Sequence, residues 1–214
     1  MTISLVGTAT NAGSTVTLPT HQAGDMLIIA AHRGTSGAIT VPTGWSVLRH
    51  VDSGFQRLMV VWKAAASAAE TSGTFTNATL MIAAVYRDDL LHMSYEQANT
   101  SQGAGVTVNY LAMDLPSSPL ANLWYAAAAA ADSPTSDITN APTGMTNIAS
   151  VASATHRLVW HHTGANATWN ASVNVSITNA AWLVINAGIG TMGAAKAAGG
   201  GMLVHPGMSG GMRG

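Results

Sequence analysis

The chemically active side chains of this 214-residue chain are eight histidines and nine carboxylates; cysteine is absent. Three histidines fall close together, at His156, His161 and His162. In an extended strand, successive side chains point to opposite faces. His161 and His162 therefore cannot chelate one ion together, and His156 falls on the face opposite His161. No His-x-x-x-His spacing on a helix offers a second route to a metal. The acids Asp25, Asp52, Asp114, Asp132 and Asp137 are scattered, and Asp88-Asp89 diverge if extended. A glycosidase needs two carboxyls roughly 5–10 Å apart, and no spacing here singles out such a pair. Calcium loops of the D-x-D-x-D-G type are missing.

Two glycine motifs match a pattern without its context. Gly188 to Gly193 satisfies G-x-G-x-x-G, but a dinucleotide unit needs a following helix, a parallel strand and an acid about 20 residues on. None of the residues after Gly193 is acidic. Gly207 to Gly211 satisfies G-x-S-x-G, yet no acid or histidine follows Ser209 as that triad order requires. Five Asn-x-Ser/Thr sequons, at Asn77, Asn99, Asn166, Asn170 and Asn174, read as Asn/Thr-rich strand faces rather than glycosylation sites. The expectation is a chain with no catalytic residue, metal or cofactor.

The elements that hold these residues are short apolar runs broken by Gly, Pro, Asn and Ser. Segments 25–32, 57–64 and 79–86 are nearly continuous apolar runs, as strands buried on both faces would be. Segments 14–19, 105–111, 156–162, 172–178 and 181–187 also read as strands. Alternation is clearest at 172–178, with Val173, Val175 and Ile177 inward and Asn174 and Ser176 outward. Segment 122–132 contains six consecutive alanines, a helix former by propensity, and stays open between helix and strand.

A repeat favours the strand. Pro42-Thr43-Gly44 recurs as Pro142-Thr143-Gly144, and Arg57-Leu58 as Arg157-Leu158, each 100 residues on. Around them 26–31 resembles 122–127, 79–85 resembles 181–187, and 14–17 resembles 105–108. The shared order points to a duplicated β-unit. One such unit cannot cover its own apolar face, so two would pack face to face. The fold class expected is an all-β, antiparallel, jelly-roll-like β-sandwich over residues 1–190, from halves of about 1–90 and 91–190. Pro and Gly in each repeat set a turn. Trp45 and its counterpart Met145 then read as packing residues.

Composition sets the limits. Hydrophobic residues make up 48% and charged residues 8%, with net charge −1. No basic patch supports nucleic-acid binding, and no Lys/Arg cluster or apolar run of roughly 20 residues supports membrane insertion. The N-terminus lacks a basic n-region with an apolar h-region, which reads as a protein made and assembled inside a cell. A weakly charged surface suits packing against other subunits. Residues 191–214 form a Gly/Met-rich arm. Its anchors for a neighbouring subunit would be Met202, Leu203, Val204, His205, Pro206, Met208, Met212 and Arg213.

Residues 16–87 resemble a family of tailed-phage proteins, the minor tail proteins typical of actinobacteriophages. The resemblance rests on Leu18-Pro19, Gly24-Asp25-Met26, Pro42 to Trp45, Lys63 to Ala65, Glu70 to Thr74 and Ala83 to Arg87, and is looser beyond. It implies a non-enzymatic virion protein of the tail tip or fibre. Its partners would be itself, as a homo-oligomer such as a trimer, and other tail proteins, with a part in host attachment. A capsid decoration protein is the alternative location. A second alternative is a module binding a host-surface glycan, through exposed aromatics among Trp45, Trp124, Tyr125 and Trp169.

Overall fold

The computed structural model describes residues 3–87, 93–111, 120–164 and 173–192. The first half supplies β1 (Ser4–Asn11), β2 (Met26–Arg33), β3 (Ser46–Asp52), β4 (Arg57–Ala64) and β5 (Leu80–Arg87). They form one antiparallel sheet in the order β1-β5-β2-β4-β3. The second half supplies β6 (Met93–Tyr110), β7 (Leu120–Ala131), β8 (Thr146–Ala152), β9 (Arg157–His162) and β10 (Val173–Met192). These form a second antiparallel sheet in the order β6-β10-β7-β9-β8. The two sheets share one wiring diagram and pack as a sandwich. The jelly-roll-like path is replaced by a plainer one. A jelly roll passes strands back and forth between its sheets, whereas each half here completes its own.

The correspondence extends to register. Asp52 pairs with Arg57 and Ala152 with Arg157, and both hairpins carry an irregularity at the same place, between Val47 and Arg49 and between Asn147 and Ala149. Pairing of Arg33 with Arg57 and of Ala131 with Arg157 makes β2 and β7 equivalent at an offset of 98. The sequence matches 26–31 with 122–127 and 79–85 with 181–187 are therefore out of register by two residues and one residue. Cross-sheet contacts are reciprocal: β1 lies against β8 as β6 lies against β3, and β5 against β8 and β9 as β10 against β3 and β4. That is the signature of a pseudo-twofold axis, the internal analogue of an isologous dimer.

The repeated turn earns its residues. Trp45 N–H donates to the Pro42 carbonyl at 3.4 Å and Met145 N–H to the Pro142 carbonyl at 2.9 Å. Gly44 and Gly144 sit at φ +91° and +89°, the left-handed region where a Cβ is strained.

Three apolar layers result. The central one, between the sheets, holds Ile28, Leu58, Ile82, Tyr86, Trp124, Trp160 and Ile185 among others. The first outer sheet face is covered by connections between its strands, the second by the end of β6, the start of β10 and the β7–β8 connection. Val16, Ile39, Trp45 and Phe75 cover the first, and Val108, Tyr110, Ile138 and Ile177 cover the second. The alanine run is strand β7, with Ala126, Ala128 and Ala130 facing the central layer and Ala127, Ala129 and Ala131 the outer one. Small side chains fit there because large rings crowd both faces, and burial on both faces overrides helix propensity.

Several expectations are corrected. Segment 14–19 is not a strand; it lies over the outer sheet face, its Val16 N–H bonded to the Ser72 hydroxyl. Segments 172–178 and 181–187 join in the single strand β10. The edge strands β1, β3 and β8 were not anticipated.

Candidate functional site

The residues that carry the family resemblance converge on structural contacts. Asp25 is fully buried and receives Arg87 Nε at 2.7 Å on one oxygen and Arg87 Nη2 at 2.6 Å on the other. The Gln22 amide adds a third bond at 2.9 Å. Burial alone would raise this carboxyl's pKa; the Arg87 and Gln22 bonds outweigh it and hold the group below the usual range. Glu70 accepts from Lys63 Nζ at 2.5 Å and from the Ala66 amide at 3.1 Å, bonds that lower its pKa. The same Lys63 ammonium lies 4.8 Å from the Trp45 ring centroid, and Trp45 meets Phe75 edge-on at 5.9 Å. Tyr86 reaches across the central layer, where its hydroxyl accepts from Trp160 Nε1 at 3.0 Å and lies 3.4 Å from His162 Nδ1.

His161 and His162 do point to opposite faces. His161 is buried in the outer layer, with Nε2 3.2 Å from the Ile138 carbonyl and its ring against Tyr110. His162 faces the central layer beside Trp124 and Tyr86. Among the described residues no group of three His, Asp or Glu side chains is placed to hold a metal ion.

Of the four aromatic residues expected to contact a saccharide, three are buried. Trp45 is 9%, Trp124 7% and Tyr125 4% exposed. Each lies within a packed layer, where its ring is covered by neighbouring side chains. Trp169 lies outside the described residues. So do all the arm residues, Met202, Leu203, Val204, His205, Pro206, Met208, Met212 and Arg213, and also Asp88, Asp89 and Asp114.

Among the concave regions of the described residues, two matter here, a third of about 280 Å³ adjoining the second of them at Gly34, Thr155 and His156. One, of about 490 Å³, lies on the outer side of the first sheet between segments 15–21 and 68–72. It is lined by Thr15, Thr17, Thr20 and Thr71, with His21 and Glu70. The other, of about 380 Å³, opens between the two sheets at the β3–β4 and β8–β9 turns. Gly34, Phe55, Gln56, Asp132, Thr155 and His156 line it. Under the strand register Gly34 corresponds to Asp132, Phe55 to Thr155 and Gln56 to His156. Ala181 also lines it and has no counterpart in the lining, so the cleft lies close to the pseudo-twofold axis, with three of its residue pairs related by it.

The backbone there is symmetric and the side chains are not. Ser53 N–H donates to the Gln56 carbonyl at 3.1 Å and Ser153 N–H to the His156 carbonyl at 2.9 Å, closing matching two-residue turns. Beneath them lies His32, fully buried, with Nε2 3.1 Å from Gln56 Oε1 and its ring 5.1 Å from that of His156. Burial lowers the His32 pKa to about 4 and also lowers that of His156, against the pull of Asp132. Gly34 makes room for this stack, since a Cβ there would come within 2.3 Å of His156 Cε1. No sequence spacing marked this cleft.

Compared with protein-family models, curated proteins and solved structures, the chain matches none.

Proposed function

We propose that this chain is a non-enzymatic structural subunit of a phage virion, a minor tail protein of the tail tip or fibre that works by packing against copies of itself and other tail proteins. One observation carries the reading. The residues on which the family resemblance rests serve the fold: Asp25 clamps Arg87, Lys63 joins Glu70 and Trp45, and Gly44 shapes a turn. The resemblance thus rests on residues of a scaffold, and the function of a scaffold lies in what it assembles with.

Packing against neighbours has support in the surface. Three large hydrophobic side chains are exposed among the described residues: Val47, Phe55 and Val106. Val47 lies on β3 and Val106 on β6, both sheet edges, and these edges face each other across the sandwich. Unpaired edges are templates for joining another chain. Mass spectrometry and electron microscopy of purified particles test the proposal. The chain should be present at fixed stoichiometry in the tail, and Val47→Lys with Val106→Lys should prevent incorporation while the variant stays folded. A chain absent from particles sinks the reading.

A further inference from the structure

We propose that the axial cleft is a saccharide-binding site, taking a neutral pyranose whose C–H face lies on Phe55 and whose hydroxyls meet Gln56, Asp132 and His156. The inference stands apart from the virion reading, whose test turns on Val47 and Val106 instead.

Phe55 is 83% exposed at the tip of the β3–β4 turn. Leaving such a ring in water forgoes roughly 1.5–3 kcal/mol of burial. The turn does not demand it, because Thr155 fills the same place in the other half. Gln56 is the reverse case, only 2% exposed. His32 occupies its Oε1, and its amide nitrogen has no partner among the described residues. A buried donor left unpaired costs about 1–3 kcal/mol, a cost that a ligand oxygen in the cleft would remove. Asp132 spends Oδ1 on the Ala181 amide at 2.7 Å, and Oδ2 remains as an acceptor at the rim. His156 has Nδ1 2.7 Å from the Thr155 hydroxyl, which leaves Nε2 for a ligand.

The cleft thus offers an aromatic face, an amide donor, a carboxylate acceptor and a neutral imidazole. Adjacent hydroxyls on a pyranose ring both donate and accept, and the ring's axial hydrogens make one face apolar, so the two patterns match. The lone carboxylate argues against anions. The volume of about 380 Å³ is at the lower end of small-ligand sites, roughly 300–1,000 Å³.

The test is a ¹H–¹⁵N titration of the purified chain with methyl β-D-glucopyranoside, methyl α-D-mannopyranoside and methyl β-D-galactopyranoside, each to about 50 mM, since a site this small should bind in the millimolar range. At least one should shift the Gln56 side-chain amide and the Thr155 backbone amide. Phe55→Ala, at an exposed turn position, should keep the spectrum of a folded protein and weaken binding about tenfold, the loss of one good contact. Asp132→Asn should weaken it too, while Val106→Ala should not. The proposal is overturned if none of the three glycosides shifts the cleft, or if Phe55→Ala binds as well as the parent. It is likewise overturned if only a cation, such as N-acetyl-lysine amide, produces the shifts.

Discussion

Removing the Arg87 guanidinium strands the Asp25 carboxylate in a site with no solvent access. Breaking a fully buried pair from one side costs about 3–5 kcal/mol; here the Arg87 side chain is 35% exposed and only Asp25 is buried, so Arg87→Ala should lower the urea midpoint by less than that limit. Arg87→Lys should recover only part, because an ammonium cannot reproduce the two-pronged contact. Histidines govern the pH response. His32 and His161 titrate near 4 in the fold because burial disfavours their charge, and near 6.5 when unfolded. Between those values the unfolded chain takes up protons that the folded chain refuses. Stability should therefore fall as pH drops from about 6.5 to 4, by up to about 3 kcal/mol per histidine. Asp25 has the depressed pKa of a paired acid, and its contribution is lost only below the ordinary carboxylate range. Urea midpoints at pH 7 and 4.5 check this, and His161→Gln, which can still donate to the Ile138 carbonyl, should flatten the slope without removing it, since burial also lowers the pKa values of His32, His156 and His162. A flat profile would contradict the assigned burial.

At the scale of elements, the two Pro-Thr-Gly turns offer a paired experiment. Gly44→Ala and Gly144→Ala each place a Cβ at φ near +90° and should cost about 1 kcal/mol or more. The turns belong to different halves of the chain, so the double variant should lose the sum in thermal melts. Ala128→Leu should be worse, about 2–3 kcal/mol, since it forces volume into a filled layer. These elements differed in how plainly they could be read. Strands β2, β4 and β5, buried on both faces, announce themselves as apolar runs. The edge strands β1, β3 and β8 are partly exposed, carry Thr, Asn and Arg, and were missed because alternation fades where only one flank is paired. The repeat was legible through its turns, while its strand offsets were not, because connections of unequal length shift the register. The cleft was illegible for another reason: Gly34, Phe55 and His156 meet only after both sheets form. Ring type alone does not separate surface from core: Trp45, Trp124 and Tyr125 are all buried. Comparing the turns "SGFQ" and "SATH", 100 residues apart, marks an exposed ring whose counterpart is polar.

The whole molecule should unfold as one unit. The central layer belongs equally to both sheets, and the Tyr86–Trp160 bond ties β5 to β9. Tryptophan fluorescence and far-ultraviolet circular dichroism should therefore give coincident transitions; two separated transitions would mean that one sheet survives without the other. Joining the two halves in one chain also changes what selection can reach. In a dimer of identical subunits every substitution appears twice, and a residue near the axis must tolerate its own mirror. Asp132 would then face a second aspartate, and Phe55 a second phenylalanine. Covalent fusion releases that constraint: one copy of the turn can keep Ser-Ala-Thr-His while the other becomes Ser-Gly-Phe-Gln. The axis, where a homodimer is least free to vary, becomes the place where this chain can build an asymmetric surface without altering its scaffold.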